Sequence, residues 1–189
     1  MDQVSFGVAI EGDKVFATTF GKNEKNALEN LLKSLPIGKS FQIAEKQEIL
    51  SEKLLKTLKA IYDGKDASSS FKLAMEHSPK YSQKVLKCVW QIPVGYITSY
   101  GAVAKTCGGS PRAVGQIMAM NPFAPLIPCH RVVQADFSIG GYGGGRETKL
   151  EILKRENRGY KEPKEIAIES GVLFVHPVGE VIKKVGHKS

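Results

Sequence analysis

Residues 98–122, TSYGAVAKTCGGSPRAVGQIMAMNP, constrain the fold more than any other stretch. Ser110 followed by Pro111 marks a helix start, since the hydroxyl can cap and the proline ring suits the first helical position. Asn121-Pro122 ends that helix, because the residue before a proline is pushed out of the helical region. Upstream, Thr98 or Ser99 can cap another short helix that runs to Cys107, and Gly108-Gly109 makes a tight turn between the two. Two short helices across a glycine turn form a helix-turn-helix pattern. Alone that pattern is a weak sign of DNA binding.

Charge gives it weight. The 189 residues carry a net charge of +8. The first 75 residues hold 11 Lys against 10 acids, whereas residues 76–189 hold 16 Lys or Arg against 9 acids. An excess confined to the half with the helix pair points to a polyanion, nucleic acid first, with a plain solvated basic surface as the alternative. No apolar run approaches a membrane span, and the opening MDQVSFGVAIEGDK lacks a signal peptide's basic-then-apolar order. A cytoplasmic protein is expected, nuclear if eukaryotic, with no membrane partner. Cys88, Cys107 and Cys129 form no C-x-x-C pair and suit a reducing compartment. With only scattered histidines beside them, neither a metal site nor a cofactor is expected.

Residues 1–75 read as a small α/β domain. VSFGVAI and KVFATTF are strands joined by an EGDK hairpin turn. NEKNALENLLKSL is a helix whose Ala27, Leu28, Leu31, Leu32 and Leu35 form one apolar stripe. KSFQIAEK suggests a further strand, and SEKLLKTLKAIYDG a helix capped by Ser51 and stopped by Gly64. The polar DASSSF is a candidate linker. Residues 76–160 read as mostly helical, with SPKYSQKVLKCVWQIP stopped by Pro93, Cys88 as a core thiol, VGYI as a short extended piece, and RETKLEILKREN as the last helix. In residues 161–189, EIAIES and VLFVHP can pair as strands, and the basic IKKVGHKS is expected to fray. The role of this tail is unassigned.

IPCHRVV, residues 127–133, raises the question of chemistry. The thiolate is the nucleophile, and apolar neighbours raise a thiol's pKa. An imidazole steadied by a carboxylate can take the proton. His130 is adjacent to Cys129, and Glu156 shares a helical face with Ile152 and Leu153, so it can turn inward to meet His130. Two alternatives stand beside this reading. Free cysteine is often a buried structural residue, and spacing alone slightly favours a helix-end acid that reaches solvent. Neighbours on an extended strand also face opposite ways, so a Cys129–His130 partnership needs a bend or a bridging water. Arg112 sits in a first helical turn, where the macrodipole disfavours a cation. With the small Ala113, Gly115 and Ala119 beside it, it is either a contact for a phosphate chain or an ordinary surface charge. GGYGGG, residues 140–145, lacks the Lys-Ser or Lys-Thr of a Walker loop and is either a close-approach loop or a flexible turn.

SPRAVGQIMAMNPFAPLIPCHRVV resembles the O6-alkylguanine-DNA alkyltransferase family, the direct-reversal DNA repair proteins. PCHRV, with RAVG and NP at the family's spacing, carries the resemblance, and the glycine loop and following helix extend it over about residues 76–159. The resemblance implies an α+β fold: a small N-terminal α/β, ribonuclease H-like domain and a mostly helical C-terminal domain, winged helix-turn-helix-like, that binds DNA and holds the active site. It implies a single-turnover methylated-DNA–protein-cysteine S-methyltransferase, with no cofactor. The alkyl group of O6-alkylguanine, and by extension O4-alkylthymine, passes irreversibly to Cys129 after the base is flipped from the minor-groove side. The expected partner is double-stranded DNA carrying O6-alkylguanine, bound by a monomer.

Residue by residue, the resemblance makes Cys129 the nucleophile, His130 its base through water, and Glu156 the group that orients His130. Tyr100 serves the leaving guanine, and Asn121 braces the active-site turn. Arg112 enters the duplex, and Ser110, Ala113 and Gly115 flank it on the DNA-binding helix. Met118, Val132, Tyr142 and Gly143 line the pocket, with the carbonyls of Cys129 and Val132 reading the guanine amino group. Two departures matter. Gly143 stands where many members have a serine, and Pro125 lies one residue later than in the human-like pattern. Human-type zinc ligands have no clear counterparts. Rival classes are a non-catalytic damage binder, which the presence of Cys129 opposes, a cysteine hydrolase, which leaves the basic helix pair unexplained, and a plain helix-turn-helix regulator.

Overall fold

Phe6, Val8 and Ile10 alternate along strand β1 (Ser5–Glu11), and Gly12, in the left-handed region at φ +59°, turns the chain into β2 (Lys14–Gly21). The computed structural model describes residues 4–44, 48–67 and 70–186. It pairs β1 and β2 antiparallel, with a bulge between Ala9 and Ile10. The two-residue strand β3 (Lys72–Leu73) joins β2 in parallel, opposite Lys14 and Val15. Helices α1 (Glu24–Ser34) and α2 (Ile49–Tyr62) pack against this sheet.

Three local expectations are corrected here. In α1 only part of the apolar stripe is used: Ala27 is buried and Leu31 and Leu35 pack inward, but Leu32 is 58% exposed. Residues 39–44 form no strand; Phe41 sets its ring against Phe16 (5.6 Å between centroids) while Ile43 faces solvent. Residues 45 and 46 of that expected strand, and 68 and 69 of the expected linker, lie outside the described residues. In α2 the cap is Glu48, and Ser51 at the third helical position completes a capping box by accepting from Glu48 N (2.9 Å).

In the second half, α3 (Lys80–Trp90), α4 (Tyr100–Cys107) and α5 (Pro111–Ala119) pack on one another around Val85, Val89, Val103, Val114 and Met118. Ser99 and Ser110 cap α4 and α5 by accepting from Ala102 N (3.0 Å) and Ala113 N (3.2 Å). Thr98 instead donates its hydroxyl to Phe174 O (2.8 Å). The turn between α4 and α5 needs glycine at 109, where φ is +89° and a Cβ would strike the Tyr81 hydroxyl.

This half is less purely helical than expected. It contains a sheet of order β5-β4-β7-β6. Strand β4 (Tyr96–Ser99) runs parallel to β5 (Val132–Val133) and antiparallel to β7 (Gly171–Pro177), which pairs with β6 (Lys164–Ile168). The two tail strands form as expected, and they are part of this sheet. Leu173 and Val175 are buried in the same core as Cys129 and Val132. The end expected to fray is helix α7 (Gly179–Gly186), with Val181 buried; residues 187–189 lie outside the described residues. Helix α6 (Arg146–Glu156) follows the glycine loop. No helix of the described residues is long and apolar enough to cross a membrane.

The halves meet along β2. Past the end of β3, Thr18 pairs with the loop after α5: its N–H donates to Pro122 O (2.8 Å) and its hydroxyl to Ala124 O (3.0 Å). At the far end of α6, Arg155 donates to Tyr62 O (3.0 Å).

Because the tail completes the core, Leu173→Ala is expected to lower unfolding stability by about 2–5 kcal/mol, as cavity-forming changes do. Its exposed neighbour Phe174→Ala is expected to cost under about 1 kcal/mol. Urea denaturation of the two variants measures the contrast; equal small losses would show a tail that the core does not use.

Candidate active site

The chain around Cys129 is bent, and two loops hold it. Cys129–Arg131 form a single 3₁₀ turn in which Arg131 N donates to Pro128 O (2.9 Å). This is the bend that adjacent side chains need in order to share a site. Asn121, two residues past α5, spans the loop that leads to Cys129: Nδ2 donates to Ile127 O (2.9 Å) and Oδ1 accepts from Phe123 N (3.0 Å). Cys129 itself is 4% exposed.

Helix α6 turns Glu156 inward together with Ile152 and Leu153. Glu156 is fully buried, which overturns the solvent-facing alternative. A buried carboxylate requires partners, and it has two. His130 Nε2 lies 3.0 Å from Oε1, while Arg131 donates from Nε to Oε2 (2.9 Å) and from Nη2 to Oε1 (2.6 Å). Arg131 Nη1 also donates to Ile92 O (2.5 Å), just past α3. Burial alone would raise the Glu156 carboxyl, but His130 and Arg131 outweigh it and hold it at about 2.

The carboxylate in turn fixes His130. Burial lowers the imidazole pKa, against the pull of Glu156, so the ring is held neutral. Nε2 then carries the hydrogen that Glu156 accepts, and Nδ1 keeps a lone pair. Nδ1 is buried and has no protein partner among the described residues. An unused buried lone pair beside a cysteine is a proton acceptor in waiting.

The thiol feels opposing influences. Burial raises its pKa; Asn121, then Lys149, then the local backbone pull it down without cancelling the rise. Lys149 is fully buried. Its Nζ donates to Val132 O (2.7 Å) and Gly141 O (3.3 Å) and stands 5.8 Å and 6.0 Å from the ring centroids of Tyr100 and Tyr142. Burial depresses this lysine to about 8, and a Cys129 thiolate would act to raise it. Sequence reasoning missed both Lys149 and Arg131. Lys149 had a signal, since it shares the inward face of α6 with Ile152, Leu153 and Glu156 at helical spacing. Arg131 had one in its place within an apolar run.

The structure gathers most of the expected site residues. Met118, Val132, Tyr100 and Tyr142 share one apolar cluster with Cys129. Burial raises the hydroxyl pKa of both tyrosines, and the Tyr142 hydroxyl has no protein partner among the described residues. The Val132 carbonyl expected to read guanine already accepts from Lys149, leaving it one lone pair. Gly143 is exposed, with open space where a Cβ would stand. Arg112 and Ser110 are exposed and Ala113 and Gly115 half-buried on α5, whose Val114 and Met118 turn to the core. These four are not brought to the thiol. The Ser110 hydroxyl is engaged as the cap of α5.

The Glu156 pairing makes a stability prediction. A carboxyl held at about 2 against an ordinary 4.5 stabilises the fold above pH 4.5, and that stability is lost as pH falls from 4.5 towards 2. Glu156→Gln leaves Arg131 buried without its anion, so a loss of about 3–5 kcal/mol is expected at neutral pH. Denaturant midpoints measured down the pH scale should show the gap from the parent narrowing in that window. A gap constant with pH would rule out an ionised Glu156.

The chain is similar to known proteins in sequence and in fold. Residues 80–158 match the family model described as the DNA-binding domain of 6-O-methylguanine DNA methyltransferase. The methylated-DNA–protein-cysteine methyltransferase of Pyrobaculum aerophilum is 54% identical over 65 residues, which are 34% of this chain and 44% of that relative. The chain thus spans under half of that curated relative's length. Among solved structures, the O6-methylguanine-DNA methyltransferase of Pyrococcus kodakaraensis superposes with a TM-score of 0.65 at 30% identity, covering 81% of this chain and 91% of that one. Mycobacterium tuberculosis OGT, solved in complex with DNA, superposes with a TM-score of 0.61 at 26% identity, covering 79% and 84%. On the motif, the mixed α+β fold and the 30% identity across nearly all of the Pyrococcus structure, this chain belongs to the O6-methylguanine-DNA methyltransferase family.

Proposed function

We propose that this chain repairs DNA by direct reversal, taking the alkyl group of O6-alkylguanine, and secondarily of O4-alkylthymine, onto Cys129 once per molecule. The observation that carries the reading is the buried thiol beside a neutral, carboxylate-held imidazole with a free ring nitrogen. In the proposed reaction Nδ1 of His130 takes the thiol proton, through a water, and Glu156 stabilises the imidazolium. The thiolate attacks the alkyl carbon, its bond to the guanine oxygen breaks, and guanine leaves with a proton supplied by Tyr100. Lys149 supplies a fixed positive charge while sulfur is anionic. The product is a thioether, with no acyl carbon for water to attack, so the chain is spent.

A thiol this buried cannot reach a base inside the duplex stack, which supports base flipping. The outer face of α5, with exposed Arg112 flanked by Ser110, Ala113 and Gly115, is the proposed DNA surface; the small residues permit close approach and Arg112 fills the gap left by the base. The DNA-bound Mycobacterium tuberculosis relative supports DNA as partner, and the proposed flipping makes it double-stranded DNA carrying O6-alkylguanine. Met118, Val132, Tyr142 and Gly143 are assigned to the pocket. Residues 1–75 are read as a ribonuclease H-like support and residues 76–160 as the working unit, a winged helix-turn-helix. Residues 161–186 brace that unit, and the protein acts as a monomer.

Intact-mass spectrometry after incubation with duplex DNA containing O6-methylguanine should show a gain of one methyl group per chain and no more. Cys129→Ser should gain none; repeated turnover, or transfer without Cys129, would defeat the reading.

Arg112→Ala is expected to slow transfer from duplex DNA by about tenfold or more while sparing transfer from the free alkylated base, since only the duplex requires a base to be held out of the stack. Equal losses on both substrates would remove Arg112 from the flipping role.

A further inference from the structure

Four aromatic rings run in a column from the N-terminal half to the reactive centre. His130 meets the ring of Tyr142 edge-on, with centroids 6.4 Å apart. Behind Tyr142 stands Phe20 of β2 (6.2 Å), and behind Phe20 stands Tyr62 of α2 (5.4 Å). Tyr62 is itself held in place by Phe6 (5.8 Å) and by the Arg155 guanidinium (4.8 Å). Phe20 is 8% exposed. It also touches the glycine loop directly, since a Cβ on Gly144 would lie 2.9 Å from its Cζ. The loop that carries Tyr142 therefore rests on Phe20.

We propose that Phe20 is a specificity-determining positioning residue: it sets how far Tyr142 and the glycine loop can retreat from Cys129, and so the size of group the thiol accepts. The inference rests on the alkyl-transfer reading for its natural substrate, but its geometry concerns only the room around the thiol. Cys129 is almost closed over, at 4% exposed, and Tyr142 packs against the same cluster, so in this proposal a group larger than methyl enters as Tyr142 swings away. The way back is filled by a ring, and that ring is wedged against a second one. Close-packed aromatic columns yield little. Phe20 comes from the half of the chain with no catalytic groups of its own, and it reaches the site only by shape.

The test compares Phe20→Ala with the parent and with Phe20→Leu, which preserves an apolar core should the alanine variant fail to fold. Transfer to Cys129 is measured from duplexes carrying O6-methylguanine or O6-benzylguanine. In parallel, without DNA, alkylation of Cys129 by iodoacetamide and by benzyl bromide is followed by peptide mass; in each the thiolate displaces halide from the reagent's carbon. Phe20→Ala is expected to raise the benzyl-to-small rate ratio about tenfold, the scale of one methylene's worth of discrimination in an apolar pocket. Phe20→Leu should fall between Phe20→Ala and the parent. Unchanged ratios in a folded Ala or Leu variant would make Phe20 an ordinary core residue and overturn the proposal. A shifted ratio with the halides but no transfer from either duplex by the parent would uphold Phe20 and defeat the alkyl-transfer reading.

Discussion

The Arg131–Glu156 pair is the interaction on which the rest of the site depends. An ion pair out of water is favourable only when the remaining hydrogen-bonding capacity is also filled. Here Glu156 accepts from two arginine nitrogens and faces one imidazole nitrogen, while the arginine's third contact is the Ile92 carbonyl. One guanidinium thereby ties the exit of α3, the Cys129–Arg131 turn and the last turn of α6 to a single point. The pair is neutral as a unit, so it adds no net charge beside His130. It can nevertheless stabilise an imidazolium once a proton arrives, because the carboxylate is already oriented.

Lys149 adds a second constraint. A lysine buried at about 8 is a cation short of a counterion, since two carbonyls solvate it without neutralising it. The missing anion is the Cys129 thiolate, and the influence is reciprocal: the lysine lowers the thiol and the thiolate raises the lysine. At rest the thiol stays protonated because burial dominates. In the proposed reaction, proton transfer to His130 creates an anion where a positive charge is already in place and needs no reorganisation. Burial and reactivity, which competed in the sequence, cooperate in the fold.

What the sequence made legible was local. Ser110-Pro111, Asn121-Pro122 and the paired glycines place α5 and its turn because each acts on its own backbone. The hairpin and the two tail strands were legible for the same reason. The four-stranded sheet was not, because β5 has two residues and β4 only four, and the partner of β4 in the tail lies some 80 residues further on. Long-range pairing leaves no mark in short windows. In the site, periodicity put Glu156 on the face of Ile152 and Leu153 but could not say whether that last residue turned in. That depended on Arg131, and arginine and lysine are read as surface residues by default. The same default hid Lys149.

Two buried side-chain atoms lack a protein partner among the described residues, His130 Nδ1 and the Tyr142 hydroxyl. The other buried side-chain nitrogens and oxygens among the described residues have partners, because an unpaired one costs on the order of 1–3 kcal/mol. Both exceptions lie in the cluster around Cys129, and the two rings face each other edge-on. Each stays open to a hydrogen bond from whatever enters that cluster. The neutral imidazole has a lone pair to receive it, and the tyrosine, whose pKa burial raises, keeps its own hydrogen to donate. Groups that satisfied each other directly would be more stable and inert. Left unpaired, they stay open to a guest whose size the packing of Phe20 against Tyr142 is proposed to limit.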